Sequence, residues 1–348
     1  MNNSAAELVK LETLVKNSHL PPDLLEKVTE MLSRLTRMVD TGVYSQEYDR
    51  MSHYISWITS IPWGVVTEDK LDLSTAKQVM ESSHFGMQEP KDRILEYLAT
   101  LKLRHDNGNE DLIRAPAIFM VGLVGTGKTT FAYSLANVLG RKIARIPFGG
   151  LGSARDLRGR SRLFLEAEPG AIVKAIKDAG SFNPVILLDE IDRVGTDERA
   201  DIMGVLVELL DPTQNNRFLD HYLDYPIDLS QVLFVATANN TTNVATAVLD
   251  RLELITMPSY TDDEKIQIAK GFLLPKALKE AGLTADKLTI SPEVWPLVTR
   301  PLGYDAGIRT LQRTIAGLTR RVAREVVEGK STAVTIDQTN YKQYMKAY

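Results

Sequence analysis

Nine consecutive residues, Gly122-Leu-Val-Gly125-Thr126-Gly127-Lys128-Thr129-Thr130, have the types and spacing of a phosphate cradle. Glycines let a backbone curl until several N–H groups converge on one anion, and a following helix adds the partial positive charge of its N-terminus. Lys128 has the reach for β- and γ-phosphates, and the Thr129 hydroxyl suits Mg²⁺. The flanks fit that use. Ile118 to Val121 is a short, wholly apolar run that reads as a buried parallel strand. Phe131, Leu135, Val138 and Leu139 then recur as the core face of a helix, and Gly140 is placed to cap its end.

Two further apolar runs end in polar residues. Val185 to Leu188 leads into Asp189 and Glu190. In open α/β sheets ligands sit at the carboxyl ends of strands, so Asp189 suits binding Mg²⁺ directly or through the groups that ligate it, and Glu190 suits polarising an attacking water. Acids that favour a helix N-terminus are the alternative. Val232 to Ala236 leads to Thr237 and Asn239, and Asn239 fits a turn residue as well as a hydrogen-bond partner for the γ-phosphate or the water. Arg251 and Arg309 could each present a cation to a transferring phosphoryl group, although spacing does not separate either from an ordinary surface arginine.

The elements that must hold these residues follow from the hydrophobic periods. Repeated β-α alternation with apolar strands predicts a parallel sheet flanked by helices, an α/β fold, between residues 65 and 257. Before it, residues 1–64 read as a helical arm: Ser4 with Glu7 as a capping box, a break at Pro21-Pro22, a stop at Gly42, and a third helix opened by Ser45. The methionines of the arm read as core filler. After it, residues 258–348 read as a small helical domain whose long helix carries Leu311, Ile315, Leu318, Val322 and Val326 in one stripe.

Bulk composition sets the outer bounds. The 348 residues are 44% hydrophobic and 25% charged, enough for a sizeable core in two or three domains. A net charge of −4 gives no basic face, so nucleic acid is possible but not indicated as a partner. The absence of cysteine rules out disulfides and thiolate metal sites. No apolar run reaches membrane-spanning length and the polar start is not a secretion signal, so the expected setting is cytoplasmic, with no membrane partner.

The combined order of motifs resembles the AAA+ ATPases, and more narrowly the ATPase module of the Lon protease family with its preceding helical arm. Beside the phosphate loop the resemblance is carried by His84-Phe85-Gly86-Met87, Phe148-Gly149-Gly150 and Asn183-Pro184 through Asp189-Glu190-Ile191-Asp192. Leu210-Asp211-Pro212, Asp220 to Asp224, Leu249-Asp250-Arg251-Leu252-Glu253, Leu273-Leu274-Pro275-Lys276 and Ser60 to Gly64 extend it over essentially the whole chain. It implies an ATP- and Mg²⁺-dependent motor that forms a homo-hexamer and unfolds and translocates protein substrates through a central pore, joined to or associated with a Lon peptidase domain. A nucleotide-gated chaperone or scaffold, or a stand-alone ATPase without proteolysis, is the alternative.

Residue by residue, the resemblance makes Gly122, Gly125, Thr126, Gly127, Lys128, Thr129 and Thr130 the nucleotide loop, with Thr129 and Asp189 at the metal. Glu190 is the hydrolytic glutamate and Asn239 the γ-phosphate sensor. Arg251 is the finger reaching into a neighbour, and Arg309 the second sensor within its own subunit. His84, Phe85 and Met87 pack on adenine, and Phe164, with Leu165 beside it, grips substrate in the pore. The sequence departs from the family in Leu123 and Val124, where prolines are usual, in Phe164 for tyrosine, in Glu166 for glycine, and in Ala200-Asp201-Ile202 near a second pore loop. The serine setting of the Lon peptidase, Pro-Ser-Ala-Gly, does not occur, so this chain alone is expected not to cut peptides.

Overall fold

The computed structural model describes residues 2–41, 45–107, 116–164, 166–300 and 307–345. The expected stop at Gly42 and the pore residue Leu165 lie outside them. The arm consists of α1 (Asn2–Asn17), α2 (Pro22–Asp40) and α3 (Gln46–Ser60). α1 begins at Asn2, ahead of Ser4, and the Ser4 side chain of the expected capping box lies outside the described residues. Leu24, Val28, Leu32 and Leu35 form the buried stripe of α2, as their spacing requires.

The central unit begins with α4 (Leu73–Ser83) and α5 (Gln88–Asp106). Then come β1 (Ala117–Val121), α6 (Lys128–Leu139), β2 (Ile143–Pro147), α7 (Ala154–Arg158), α8 (Ala171–Ala179), β3 (Val185–Asp189) and α9 (Arg199–Leu210). A hairpin of β4 (Phe218–Asp220) and β5 (Tyr225–Ile227) precedes β6 (Leu233–Ala238), α10 (Thr246–Leu249) and β7 (Leu252–Thr256). The large sheet is parallel throughout, in the order β2-β3-β6-β1-β7. Its three inner strands, β1, β3 and β6, are buried almost end to end. The outer β2 and β7 bury one residue each, which is why their apolar character is weaker.

Side chains alternate across the sheet. Ala117 and Phe119 of β1 join one core, while Ile118 and Met120 join the other. The second core is closed by α4, α5 and α6. The first runs without a break from the sheet through α7–α9 into the arm, taking in Leu24, Leu35, Tyr54 and Ile58. The Tyr54 hydroxyl donates to the Leu223 carbonyl at 3.1 Å, and the Trp63 ring meets those of Phe182 and Tyr225.

The C-terminal unit holds α11 (Asp262–Ile268), α12 (Leu274–Glu280), β8 (Leu288–Ile290), α13 (Trp295–Thr299), α14 (Arg309–Val327), β9 (Val334–Ile336) and α15 (Tyr341–Tyr344). Thr261 caps α11 in a reciprocal box with Glu264. A π-helical stretch, Ala269–Leu273, carries the chain from α11 into α12 without the break that Pro275 suggests; the proline sits in the first turn of α12, where its missing N–H is not needed. Leu311, Ile315, Leu318 and Val322 of α14 fill the core of this unit. No described helix is long and apolar enough to cross a membrane.

Candidate functional site

The phosphate loop leaves β1, which lies between the inner β6 and the outer β7, and enters α6, and its glycines serve specific geometric needs. Gly125 and Gly127 have φ of 82° and 96°, a region that side chains rarely adopt. At Gly122 the constraint is space: a Cβ there would lie 2.5 Å from the Met257 carbonyl oxygen. Lys128, the first residue of α6, is buried, and its ammonium donates to the Gly122 carbonyl at 2.6 Å, the Leu123 carbonyl at 3.0 Å and Asn239 Oδ1 at 3.1 Å. Burial pulls its pKa below the ordinary lysine value, and Asp192 is the main charge opposing that fall.

Asp189 ends β3 and both oxygens of its carboxylate accept hydrogen bonds. Oδ1 accepts from the Thr237 hydroxyl at 2.6 Å and the Thr129 hydroxyl at 3.3 Å, and Oδ2 accepts from Arg145 of β2 at 2.7 Å. The strand registers make this possible, because β3 lies between β2 and β6. Glu190 follows with φ 57°, a left-handed conformation that turns the chain out of the sheet, and its N–H donates to the Thr237 hydroxyl at 2.9 Å. Its carboxylate lies 3.3 Å from Arg193 Nε. Asn239 follows β6, its N–H held by Asp192 Oδ2 at 3.0 Å while its side chain meets Lys128. Asn239 is half-buried and is hydrogen-bonded through both its backbone and its side chain.

A cavity of about 130 Å³ collects these groups. Gly125, Gly127, Lys128, Thr129, Thr130, Asp189, Glu190, Asn239 and Arg309 all line it, together with Ile308 and Gln312 from the start of α14. The C-terminal unit is tied directly to the loop, since the Ile308 N–H donates to the Gly125 carbonyl at 3.1 Å. Thr129 and Asp189 offer a hydroxyl and a carboxylate side by side, and no cluster of three or more metal-ligating side chains occurs among the described residues. That donor set fits a Mg²⁺ ion that takes its remaining ligands from phosphate oxygens and water.

The expected adenine-side residues divide. His84 is buried beside α6, its ring nitrogens 3.2 Å from the Thr130 hydroxyl and 3.0 Å from the Ser83 hydroxyl, and burial pushes its pKa down to about 4, with Lys91 assisting. Met87 is buried, its sulfur accepting from the Tyr260 hydroxyl at 3.5 Å. Phe85 is 36% exposed, and none of His84, Phe85 and Met87 lines the cavity. Arg251 is also elsewhere. It donates to Asp211 Oδ2 from Nε at 3.3 Å and Nη2 at 3.0 Å, and from Nη1 to the Ala247 carbonyl at 2.7 Å.

Sequence reasoning missed Arg145, Thr237 as a site residue, and Tyr260, whose hydroxyl also reaches the Thr126 carbonyl at 3.4 Å. A charged residue within the otherwise apolar Ile143-Ala144-Arg145-Ile146 was the available signal for the first. Tyr260 had none, because it closes on the loop from 134 positions away in sequence.

Outside this cavity, Phe164 is 61% exposed and Leu163 is 83% exposed, so the apolar pair at the tip is Leu163-Phe164 as far as the described residues go. The loop is pinned at its base. The Gly170 N–H donates at 2.8 Å to Asp220, a fully buried carboxylate that also takes the N–H groups of Tyr222 and Leu223.

A parallel sheet with a phosphate loop, an Asp-Glu strand end, a polar residue closing the neighbouring strand and a helical lid carrying an arginine defines an AAA+ ATPase. The comparisons with known proteins agree. The family described as "ATPase family associated with various cellular activities (AAA)" matches residues 118–260, and the "Lon protease AAA+ ATPase lid domain" matches residues 279–334. The chain is 41% identical to a Lon protease of Dictyoglomus thermophilum over 330 residues, which is 95% of this chain and 40% of that protein. It is 42% identical to Lon protease 2 of Myxococcus xanthus, over 95% of this chain and 39% of that protein. It is 39% identical to Lon protease 2 of Thermus thermophilus, over 97% of this chain and 42% of that protein. The chain belongs to the Lon family and corresponds to its AAA+ ATPase module, spanning about two fifths of the length of these relatives.

Proposed function

We propose that this module binds Mg·ATP in the cavity at the sheet's carboxyl edge, hydrolyses it, and uses the cycle to unfold and thread protein substrates. It would do so as a cytoplasmic hexameric ring attached to, or associated with, a Lon peptidase. The three-part division at residues 1–64, 65–257 and 258–348 belongs to this proposal. The observation that carries it is the convergence of Lys128, Thr129, Asp189, Glu190, Asn239 and Arg309 on one cavity. Lys128 would hold the β- and γ-phosphates, and Thr129 with Asp189 would hold Mg²⁺, whose contribution is to neutralise charge on the transferring phosphoryl group. Glu190 would take a proton from the attacking water, and Asn239 would orient that water or the γ-phosphate. His84 and Met87 would flank the base, and Arg309 would report on the phosphate from the lid. Phe164 would grip substrate, since an aromatic offers apolar area without demanding a matching hydrogen bond.

Steady-state phosphate release, together with binding of a fluorescent ADP, tests the site. Glu190→Gln should bind nucleotide as wild type does and lose at least about 100-fold in turnover, the usual worth of a positioned general base. Lys128→Ala should lose the binding itself. Equal, slow hydrolysis by wild type and Glu190→Gln would favour a nucleotide-gated scaffold instead.

A further inference from the structure

On the arm, α3 buries Tyr48, Ile55 and Ile58 on one side. Gln46, Asp49, Arg50 and His53 recur at i, i+3, i+4 and i+7, so they form a single exposed stripe. This stripe borders a groove of about 440 Å³, whose other wall is Arg162, Phe164 and Ala167 of the proposed gripping loop, with Tyr222 at its floor. A second groove, of about 590 Å³, lies on the other side of Phe164 and is lined by Arg155, Arg160, Leu163 and His221. Phe164 thus borders both grooves, and one of them is completed by the arm.

We propose that α3 is the second jaw of the grip: an extended segment of unfolded polypeptide lies between the Gln46–His53 stripe and Phe164. The inference rests on the reading of Phe164 as a substrate contact and adds a site on the arm. The lining suits a backbone of unspecified sequence. Gln46 can both donate to and accept from peptide groups, Asp49 can accept, and Arg50 can donate. Phe164, Ala167 and the Tyr222 ring offer apolar area for a side chain. Charges of both signs face the groove, so neither an acidic nor a basic segment is selected. Arg162, the one loop cation there, is already committed. Its guanidinium stacks 4.1 Å above the Tyr54 ring and lies 3.8 Å from Asp224 Oδ2. Asp224 is bound in turn by Lys27 of the arm at 3.7 Å, so the two walls are cross-linked and keep their spacing.

The test is fluorescence anisotropy with labelled, reduced and carboxymethylated lactalbumin as the unfolded polypeptide, in Mg²⁺ and a non-hydrolysable ATP analogue. The Gln46→Ala/Arg50→Ala double variant should weaken binding by roughly 5- to 10-fold, the effect of losing one well-placed interfacial contact. Both residues are exposed, so far-UV circular dichroism and the melting midpoint should match wild type, which separates a lost contact from a lost fold. Phe164→Ala, measured alongside, should weaken binding as well. If Phe164→Ala weakens binding and the double variant does not, the jaw is overturned while the gripping loop stands. If neither changes affinity, the reading of Phe164 itself fails.

Discussion

Thr237 has no exposed surface, and its single hydroxyl serves two neighbours: it donates to Asp189 Oδ1 and accepts from the Glu190 N–H. Valine has the same shape without the hydroxyl. Thr237→Val should therefore remove the shorter of the two hydrogen bonds to Asp189 Oδ1 and leave the half-buried Glu190 N–H without its acceptor, destabilising the nucleotide-free protein by about 1–3 kcal/mol in urea unfolding. Turnover should fall more than nucleotide affinity, because Asp189 and Glu190 lose their shared reference point; a variant with wild-type stability would mean that the strand ends re-pair. His84 gives a pH prediction of definite sign. Burial favours its neutral form, lowering the pKa from the ordinary 6.5 to about 4, so between those values the native chain binds fewer protons than the unfolded one. Its contribution is intact above about pH 6.5 and drains away as pH falls towards 4, by roughly 3 kcal/mol in all. Urea midpoints at pH 5 and pH 7.5 should differ less in His84→Gln than in wild type; equal differences would show that another group sets the slope. The contiguous phosphate loop was legible because its chemistry is local in sequence. Thr237, Arg145 and Tyr260 were not recognised as site residues, because they arrive through strand register and lid docking, which leave no mark on neighbouring residues.

Between elements, the closest approach at the site is Gly307 against the phosphate loop. A Cβ at Gly307 would lie 2.4 Å from the Val124 carbonyl oxygen and 2.7 Å from the Gly125 backbone, atoms that cannot swing aside. Gly307→Ala should push α14 away from the loop, break the Ile308-to-Gly125 hydrogen bond and withdraw Arg309 from the cavity. We expect ADP affinity to fall about tenfold or more, equivalent to at least 1.4 kcal/mol, by fluorescence titration. Unchanged affinity would show that the lid reaches the nucleotide by another path. The same scale explains which elements could be read from sequence. Inner strands such as Val185–Asp189 are continuous apolar runs and stand out, and α2, α8 and α14 have strong helical stripes. The hairpin Phe218–Asp220 with Tyr225–Ile227 and the strand Leu288–Ile290 are three residues each, too short to show a period. Leu288–Ile290 pairs with Val334–Ile336, so its stabilising partner lies far along the chain.

At the scale of the whole molecule, Arg251 poses the sharpest question, because it sits on the same chain as the cavity and does not line it. Its guanidinium is held on Asp211, whose carboxyl lies well below the usual range, chiefly through hydrogen bonds from Thr213 with Arg251 adding to them. We propose that an arginine held away from its own cavity serves catalysis in another subunit's site. Loss of such a finger usually costs about 10³-fold or more in turnover with binding retained, which is the expectation for Arg251→Ala. Mixing decides whether the action is between subunits. Arg251→Ala subunits keep Glu190, and Glu190→Gln subunits keep Arg251, so each alone should be inactive. In a mixed ring an Arg251→Ala site beside a Glu190→Gln neighbour has its own glutamate and a borrowed arginine, and phosphate release should reappear. The recovery should require assembly, and so should depend on protein concentration and coincide with a larger species in analytical ultracentrifugation. A mixture no more active than its two components would confine Arg251 to its bond with Asp211, and the proposed ring would then need a different residue to carry one site's state to the next.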